Sequence, residues 1–454
     1  MFLIHSGVLV IGGSAAGLAA AITSRRQYPN RKVALLREES RVPIPTGIPY
    51  VFGTLSSPEK NLFSDSLLTD HDIRVFDGKA VRIDREGKMI ELENGDSIGY
   101  ERLVLATGSR PAMVPIPGFD LKNVFTIEKN LKKLQALKAR LADVKRLAII
   151  GGGFIGVEIA QECRKGGVED VTIVEQRDRC LSICFDEEFC VAAEEQLTER
   201  GISLKTGLVA KELQGRDAVE QVVLSNGYQL PVDAVIMAVG AVPNADLAKA
   251  SNISLGATGG IAVDRSMKTS DPAIFAAGDC SEKPSFFGGT PCPFKLASIA
   301  CAEARIAGAN LFGLRREYPG TIGAWGTVVG ELGMACAGLS VSRARERGYD
   351  VVSGTAASRD RHPDEMPGGV STTIKLVFER RTGVLLGAQI MGGGAVMDKV
   401  NLFSSCIQHR MTFDDIATFQ FGTHPALTGA PLYYQTVVAA EEARGAQRLA
   451  AQED

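Results

Sequence analysis

Two glycine-rich turns, each between an apolar strand and a helix, hold the residues best suited to chemistry in this 454-residue chain. In such a turn one glycine permits the tight reversal, the next lets backbone approach a pyrophosphate, and the last lets the helix pack closely on the strand. The helix N-terminus then presents unpaired N–H groups and a positive dipole end to the phosphates. The candidate phosphate-binding residues are Gly12, Gly13, Ser14 and Gly17 after the strand Val8–Ile11, and Gly151, Gly153 and Gly156 after the strand Leu147–Ile150.

A carboxylate about 20 residues after such a turn can hydrogen-bond the 2′-hydroxyl of a nucleotide ribose. The segment VTIVE after the second turn ends in Glu175, which fits this role. The segment KVALLREES after the first turn offers Glu38, with Glu39 as the second choice. An ordinary exposed carboxylate at a strand end is the alternative for both modules. Two dinucleotide sites in one chain predict electron transfer between two dinucleotides.

Composition indicates a globular protein of the α/β class. The hydrophobic content is 45% and the net charge is only −3, which gives no electrostatic case for a nucleic acid or a charged membrane surface as partner. No apolar run is long enough for a membrane span, and the N-terminal stretch continues into the nucleotide fold instead of forming a signal peptide.

The nine cysteines include no CxxC pair, which favours a reducing cytoplasm. Cys180 and Cys184 form a CxxxC for which a redox or metal role is conceivable. No further ligands complete a metal set in the sequence, so we interpret them as two ordinary thiols and expect no metal site.

The length predicts about three domains. The segment LVLATGSRP follows the first module, and AVIMAVGAVPN repeats its strand-plus-glycine arrangement after the second. The repeat pairs Gly108, which follows Thr107, with Gly240 as a further candidate cofactor-binding residue. From about residue 320 the strand and helix patterns predict a third, α+β domain, and the polar residues 441–454 are expected to fray.

Together these pieces resemble the pyridine nucleotide–disulfide oxidoreductases, through the motifs GGSAAG, LVLATGSRP, GGGFIGVE and IFAAGD. The chain looks most like the group of coenzyme A-disulfide reductases, NADH oxidases, NADH peroxidases and NADH-dependent sulfur reductases. The resemblance implies an α/β fold with two Rossmann-like domains and a homodimer. Its domains would be an FAD domain (1–115 and 245–320), an inserted NAD(P)H domain (116–244) and a C-terminal α+β dimerisation domain (321–454).

The resemblance also implies roles for individual residues. Asp279 would hydrogen-bond the ribityl–phosphate region of FAD, and Thr107 and Gly108 would lie near it. Glu158 would lie close to the flavin and the nicotinamide. Glu175 would bind the ribose of NADH and disfavour NADPH, whose 2′-phosphate would meet that carboxylate. Arg177 nearby leaves NADPH open.

The sequence departs from the group at its redox centre. The usual stretch S-x-x-x-C-G-x-P-Y places one cysteine against the flavin, but here the stretch VPIPTGIPY has Thr46 at that position. A thiolate can be oxidised and pass two electrons onward, whereas a threonine hydroxyl cannot. Thr46 either donates a hydrogen bond to the flavin or simply fills the site.

Further residues have two interpretations each. Phe154, where the group often has tyrosine, either covers the flavin until NADH arrives or only packs. His424 matches an acid/base histidine of two-cysteine reductases, but Gly429 replaces its orienting carboxylate, so a structural role is the alternative. The remaining candidates, at positions that suit coenzyme A phosphates or lie on a solvated surface, are Arg25, Arg26 and Arg305.

We interpret the chain as a cytoplasmic, homodimeric FAD flavoprotein that oxidises NADH. A hydride passes to flavin N5, and the electrons go directly to a small-molecule acceptor without a cysteine relay. The alternative is reduction of a coenzyme A disulfide, persulfide or polysulfide, with bound thiol or a cysteine such as Cys292 or Cys301. A nucleotide-responsive binding protein that has lost catalysis is the third hypothesis.

Overall fold

The computed structural model describes residues 3–453 as a mixed α/β protein. The strands are β1 (Leu3–Ile11), β2 (Val33–Arg37), β3 (Arg74–Asp77), β4 (Ala80–Asp84), β5 (Met89–Leu92), β6 (Ser97–Leu105), β7 (Ser109–Pro111), β8 (Val124–Thr126), β9 (Arg146–Ile150), β10 (Asp170–Val174), β11 (Ile202–Lys205), β12 (Ala210–Gln214), β13 (Gln221–Leu224), β14 (Gln229–Pro231), β15 (Ala234–Met237), β16 (Ala241–Pro243), β17 (Ile274–Ala276), β18 (Ala324–Val329), β19 (Leu332–Gly338), β20 (Val351–Arg359), β21 (Ser371–Glu379) and β22 (Leu385–Gly392). The helices are α1 (Ala15–Gln27), α2 (Ser66–Thr69), α3 (Leu131–Leu141), α4 (Phe154–Lys165), α5 (Glu187–Glu199), α6 (Asp246–Ala250), α7 (Ala297–Asn310), α8 (Val341–Glu346), α9 (Val396–Gln408), α10 (Phe413–Thr418) and α11 (Gln435–Glu453).

The described residues divide into two compact units. The first comprises the described residues up to Lys145, together with Lys165–Val168 and Ala234–Thr321. The second comprises Arg146–Arg164, Glu169–Asp233 and the described residues from Ile322 onward. The fold class agrees with the expectation, and the three domain boundaries given above stay a prediction.

A mostly parallel sheet forms the core of the first unit. Its strand order is β3-β2-β1-β6-β5-β4, and β17 also pairs with β6. The central strands read as continuous apolar runs because both faces of the sheet are covered. Helices α1 and α7 pack on each other, and small buried residues such as Ala20 and Ala304 allow the close approach.

The second unit contains the parallel strands β9, β10 and β11 and an antiparallel sheet in the order β18-β19-β22-β21-β20. Helix α11 packs on β20 through the buried residues Ala439, Ala440 and Ala443. The expected fraying of residues 441–454 is therefore wrong as far as the structure describes them, because α11 continues to Glu453. Its apolar positions recur on one helical face, a pattern that the polar composition concealed.

Within residues 3–453, none of the helices combines the length and the apolar character that crossing a membrane requires.

Candidate functional site

The first glycine turn holds its helix in contact with the turn itself. The Gly12 N–H donates to the Leu36 carbonyl at 2.8 Å, which closes the turn after β1. A Cβ on Gly17 would lie 1.8 Å from the Gly12 oxygen, so only glycine fits there. Ser14 precedes α1 without a side-chain cap, and the first helical turn contains no acidic residue. The helix N-terminus is thus available to a phosphate.

The second turn repeats this geometry in the second unit. The Gly151 N–H donates to the Val174 carbonyl at 2.8 Å. A Cβ on Gly156 would lie 1.9 Å from the Gly151 oxygen, and one on Gly153 would meet open space. The two turns therefore match in their hydrogen bonds and in the closeness of helix and turn.

Glu175 lies beside the second turn, and its binding of a ribose stays a prediction. Its buried carboxylate accepts hydrogen bonds from the Gly152 N–H at 2.6 Å and from the Arg177 N–H at 2.8 Å. These two donors fix its orientation, and a carboxylate retains lone pairs for a further donor such as a ribose hydroxyl.

The first unit places a different residue type at the corresponding strand end. A Cβ on Gly13 would lie 2.9 Å from Arg37 Cβ, just as one on Gly152 would lie 3.0 Å from Glu175 Cβ. Glu38 follows Arg37, is exposed and has Lys79 at 4.0 Å. Glu39 accepts from Asn130 at 2.5 Å. Aligning VALLR with VTIVE would have revealed this from the sequence, whereas counting residues from the turn selected Glu38.

Asp279 is held by two partners that the sequence analysis missed. Ser109 Oγ and Lys129 Nζ donate to its Oδ2 at 2.8 and 2.9 Å. Burial would raise the pKa of Asp279, but the positive Lys129 and these hydrogen bonds hold it below its ordinary value. Asp279 is therefore charged at neutral pH. Its Oδ1 has no donor among the described residues and can accept a hydroxyl of a ligand.

The loop that carries Asp279 rests on a fully buried ion pair. Lys283 Nζ donates to Glu303 at 2.8 and 3.0 Å and to the Gly278 carbonyl at 2.7 Å. Glu303 also accepts from the Gly278 N–H at 2.8 Å and from Ser281 Oγ at 3.1 Å. The pair thereby fixes the Gly278 backbone before Asp279 and the Ser281 side chain after it, although nothing in the sequence linked residues 283 and 303.

Thr107, Gly108 and Gly240 lie where β7 and β16 pair. Thr107 Oγ1 donates to the Asn244 carbonyl at 2.6 Å, and Asn244 Nδ2 donates back to the Thr107 carbonyl at 3.0 Å. The Gly240 carbonyl accepts from the Ala112 N–H at 2.9 Å. These contacts tie the two strand ends together, and the predicted cofactor contacts of the three residues stay a prediction.

Thr46 is exposed in a 3₁₀ turn, Pro45–Gly47. Asn61 pins this turn, because its Nδ2 donates to the Ile44 carbonyl at 2.9 Å and its Oδ1 would lie 2.0 Å from a Cβ on Gly47. No described group hydrogen-bonds the Thr46 hydroxyl, so it is available to a ligand.

Burial makes most of the cysteines poor substitutes for a redox thiol. All are free thiols, and burial raises the pKa of Cys180 and Cys301, among others. Because the thiolate is the reactive form, a raised pKa lowers the reactivity of these thiols at neutral pH. Cys180 and Cys184 are both buried, and no group of His, Cys, Asp or Glu in residues 3–453 is arranged to hold a metal ion.

Glu158 and Phe154 lie on α4 in the second unit. Thr327 Oγ1 donates to Glu158 at 2.9 Å, but burial dominates and raises the pKa of Glu158 to about 7. Glu158 can therefore hold or release a proton near neutral pH. Phe154 contacts the rings of Phe185 and Trp325, each with centroids 6.1 Å away, and this packing fixes its position.

His424 is exposed and has no carboxylate partner among the described residues. Its Nδ1 accepts from the Ala426 N–H at 3.2 Å. A side chain at Gly429 would collide with the Arg359 carbonyl, since its Cβ would lie 2.8 Å from that oxygen. The local backbone thus excludes the orienting carboxylate, and either role of His424 stays a prediction.

The three arginines differ in their surroundings. Arg25 pairs with Asp72 at 2.8 Å, and Arg26 lies 3.1 Å from His71 Nε2. Arg305 is exposed on α7. Arg25 and Arg26 thus have neighbouring partners, which lowers their capacity to bind phosphate.

Comparison with known proteins gives consistent matches along the chain. Residues 6–304 match the family described as pyridine nucleotide-disulphide oxidoreductase, and residues 325–432 match its dimerisation domain. An NADH oxidase of Lactococcus lactis subsp. cremoris is 30% identical over 453 residues, covering 95% of this chain and 99% of that protein. An NAD(P)H coenzyme A polysulfide/persulfide reductase of Pyrococcus horikoshii is 30% identical over 416 residues, covering 90% and 92%. The NADH-bound structure of a water-forming NADH oxidase from Lactobacillus brevis has a TM-score of 0.89 and 25% identity, covering 99% and 100%.

Proposed function

The chain belongs to the pyridine nucleotide-disulphide oxidoreductase family, and we propose that it is an FAD-dependent NADH oxidoreductase that reduces its acceptor without a redox cysteine. The observation that carries this proposal is Thr46, an exposed hydroxyl at the position where the family resemblance places sulfur. A hydroxyl cannot form a disulfide or a sulfenate, so the electrons need a route that avoids this side chain.

The residues of the first unit fit FAD. The turn closed by Gly12 and Gly17 leaves no room for a Cβ, and the uncapped end of α1 suits a pyrophosphate. Asp279 offers its Oδ1 to a ribityl hydroxyl, and Lys129 and Ser109 keep that carboxylate ionised and oriented. Bound FAD supplies the two-electron chemistry, accepting a hydride and reducing the terminal acceptor.

The second unit provides the residues for NADH. Glu175 accepts a ribose hydroxyl, and the α4 N-terminus binds the pyrophosphate. Glu158 holds a proton near neutral pH because its carboxyl group is buried, and Thr327 orients it. Phe154, packed between Phe185 and Trp325, shields the site from water.

The acceptor is a small molecule, for which molecular oxygen is our first candidate because the relative from Lactococcus lactis is named NADH oxidase. A quinone-like molecule or a sulfur species would be reduced by the same route, and a protein is the alternative to a small-molecule acceptor. The match to a dimerisation domain over residues 325–432 supports a homodimer. We place the protein in the cytoplasm, where free thiols such as those in this chain stay reduced.

Reduction of a coenzyme A persulfide or polysulfide is the second candidate, supported by the relative from Pyrococcus horikoshii. It requires an anion site and a reactive thiol. Arg25 is already paired with Asp72, Cys292 is buried, and Cys301 Sγ lies 3.7 Å from the Ala15 carbonyl. These contacts make this function the less favoured one.

The test is anaerobic stopped-flow reduction by NADH, followed by mixing with oxygen, a quinone or coenzyme A persulfide. We compare the native protein with Thr46→Cys and Thr46→Ser, before and after alkylation by iodoacetamide. The native protein and Thr46→Ser should reduce the acceptor equally well after alkylation, and only Thr46→Cys should lose activity.

Loss of native activity on alkylation, with protection by NADH, would refute the cysteine-free route. Turnover on coenzyme A persulfide far above that on oxygen would favour the second candidate. Reduction of the flavin by NADH that takes longer than several minutes would favour the third hypothesis, a nucleotide-responsive binding protein that has lost catalysis.

A further inference from the structure

The two dinucleotide-binding modules differ in one residue at the end of a strand. This residue is Arg37, the last of β2, in the first module and Glu175, directly after β10, in the second. Gly12 bonds to Leu36 and Gly151 bonds to Val174, both at 2.8 Å, so Arg37 and Glu175 are the next residues in the same register. The close approach of each Cβ to the second glycine of its turn supports this equivalence. A cation therefore stands in the first module where the second has its ribose-binding carboxylate.

Arg37 is bound on both sides by carboxylates. Its Nε donates to Asp77 at 2.8 Å, and its Nη1 and Nη2 donate to the two oxygens of Asp65 at 2.6 and 3.1 Å. Asp77 lies directly beside Arg37 in the β2–β3 register. The guanidinium hydrogen bond lowers the pKa of Asp65, so this carboxylate is ionised at neutral pH.

Charge and hydrogen-bonding capacity distinguish Arg37 from its neighbours. A guanidinium can only donate, so Arg37 cannot accept a hydrogen bond from a ribose hydroxyl. Arg37, Asp65 and Asp77 together carry one positive and two negative charges, a net −1 that equals the charge of Glu175. The Arg37 side chain is 9% exposed, whereas Asp65 and Asp77 are 59% and 55% exposed, so their outer lone pairs can reach a ligand.

We propose that Asp65 and Asp77 bind the adenosine ribose of the dinucleotide in the first module, and that Arg37 is the positioning residue that aligns them. This inference rests on the proposed FAD site and names how its adenosine end is recognised. In the first module, Asp65 and Asp77 thus take the part that the Glu175 carboxylate has in the second. Neither of them lies on β2.

The test uses the apoprotein and two ligands, FAD and FAD that carries 2′-deoxyadenosine. Binding is followed by flavin fluorescence. A hydrogen bond from a hydroxyl to a charged acceptor is worth about 1.5–3 kcal/mol, so the native protein should bind the deoxy analogue about ten- to hundredfold more weakly. The double variant Asp65→Asn/Asp77→Asn should lower this ratio to below about threefold, and Arg37→Gln should lower it partially.

Glu38→Gln is the matched control, because Glu38 is the exposed carboxylate next to Arg37. It should keep the native ratio. Thermal unfolding and NADH binding in the second unit verify that each variant is folded. If the double variant does not fold, the single variants Asp65→Asn and Asp77→Asn should each lower the ratio.

Three results would each overturn the inference: a native ratio near one, a native ratio kept in Asp65→Asn/Asp77→Asn, or a ratio lost in Glu38→Gln. A native protein that binds neither form of FAD would instead refute the proposed function, so the two failures are distinguishable.

Discussion

Replacing Glu175 by glutamine should change which nicotinamide nucleotide the protein oxidises. The native carboxylate is buried and fixed by the Gly152 and Arg177 N–H groups at 2.6 and 2.8 Å. Glutamine keeps the shape and one acceptor oxygen, but its NH2 group replaces the oxygen that accepts from the second N–H, so one of these two hydrogen bonds is lost and the other keeps the loop in place. The variant loses the negative charge that favours a ribose hydroxyl and opposes a 2′-phosphate.

The expected magnitude follows from these two effects. A charged acceptor strengthens a hydrogen bond by about 1 kcal/mol over a neutral one, so kcat/KM for NADH should fall about fivefold. Two unit charges about 4 Å apart repel by about 1 kcal/mol in water, and the 2′-phosphate carries nearly two charges. Removing this repulsion of about 2 kcal/mol should raise kcat/KM for NADPH about 30-fold. The NADH/NADPH selectivity should therefore fall by about two orders of magnitude.

The assay is steady-state oxidation of NADH and NADPH by the purified flavoprotein, with thermal unfolding as the folding check. Asp178→Asn is the control, because Asp178 is an exposed carboxylate three residues along the chain. It should leave the selectivity unchanged. If Glu175→Gln loses activity with both nucleotides equally, Glu175 supports the loop and does not select the nucleotide.

Three further predictions concern both units. Because the pKa of Glu158 is about 7, its carboxyl group is neutral below pH 7 and negative above it, so KM for anionic NADH should rise about fivefold from pH 6 to 8. Steady-state kinetics of Glu158→Gln should show no such rise. A rise in KM that persists in this variant would contradict the assignment. Lys283→Met should leave Glu303 buried without its cation and lower the free energy of unfolding by about 3–5 kcal/mol, measured by denaturant-induced flavin release. The double variant Lys283→Met/Glu303→Leu should recover most of this stability. Equal losses of stability in the two variants would refute the ion-pair argument. Gly17→Ala should abolish FAD retention on purification, because the new Cβ would lie 1.8 Å from the Gly12 carbonyl oxygen. Gly445→Ala, whose Cβ would meet open space, should retain FAD. A yellow Gly17→Ala protein would show that the turn can relax.

Local spacing in the sequence was sufficient to locate the glycine turns and the position of Glu175 beside the second one. Each glycine turn lies within its own strand–turn–helix–strand segment, and Glu175 directly follows the last strand of the second segment, so their geometry follows from local sequence. Family resemblance and fold class are confirmed by matches over residues 6–304 and 325–432. The roles assigned to single residues, Thr46 included, stay predictions.

Partners distant in sequence could not be predicted in this way. Lys129 meets Asp279 across 150 residues, and Asp65 meets Arg37 across a separate loop. Such pairs arise when strands and loops assemble, and no periodicity encodes them. The error over α11 had another cause, because polar composition outweighed a narrow stripe of alanines that packs on β20.

Thr46 lies in a turn held by Asn61, in a chain whose thiols are buried except for the partly exposed Cys301, and this has a consequence for resistance to oxidation. An oxidase that releases peroxide endangers any low-pKa cysteine near its flavin, since further oxidation to a sulfinic acid is irreversible without a dedicated repair enzyme. The Thr46 hydroxyl cannot undergo this stepwise oxidation. The proposed enzyme therefore has no thiol at position 46 that peroxide could inactivate.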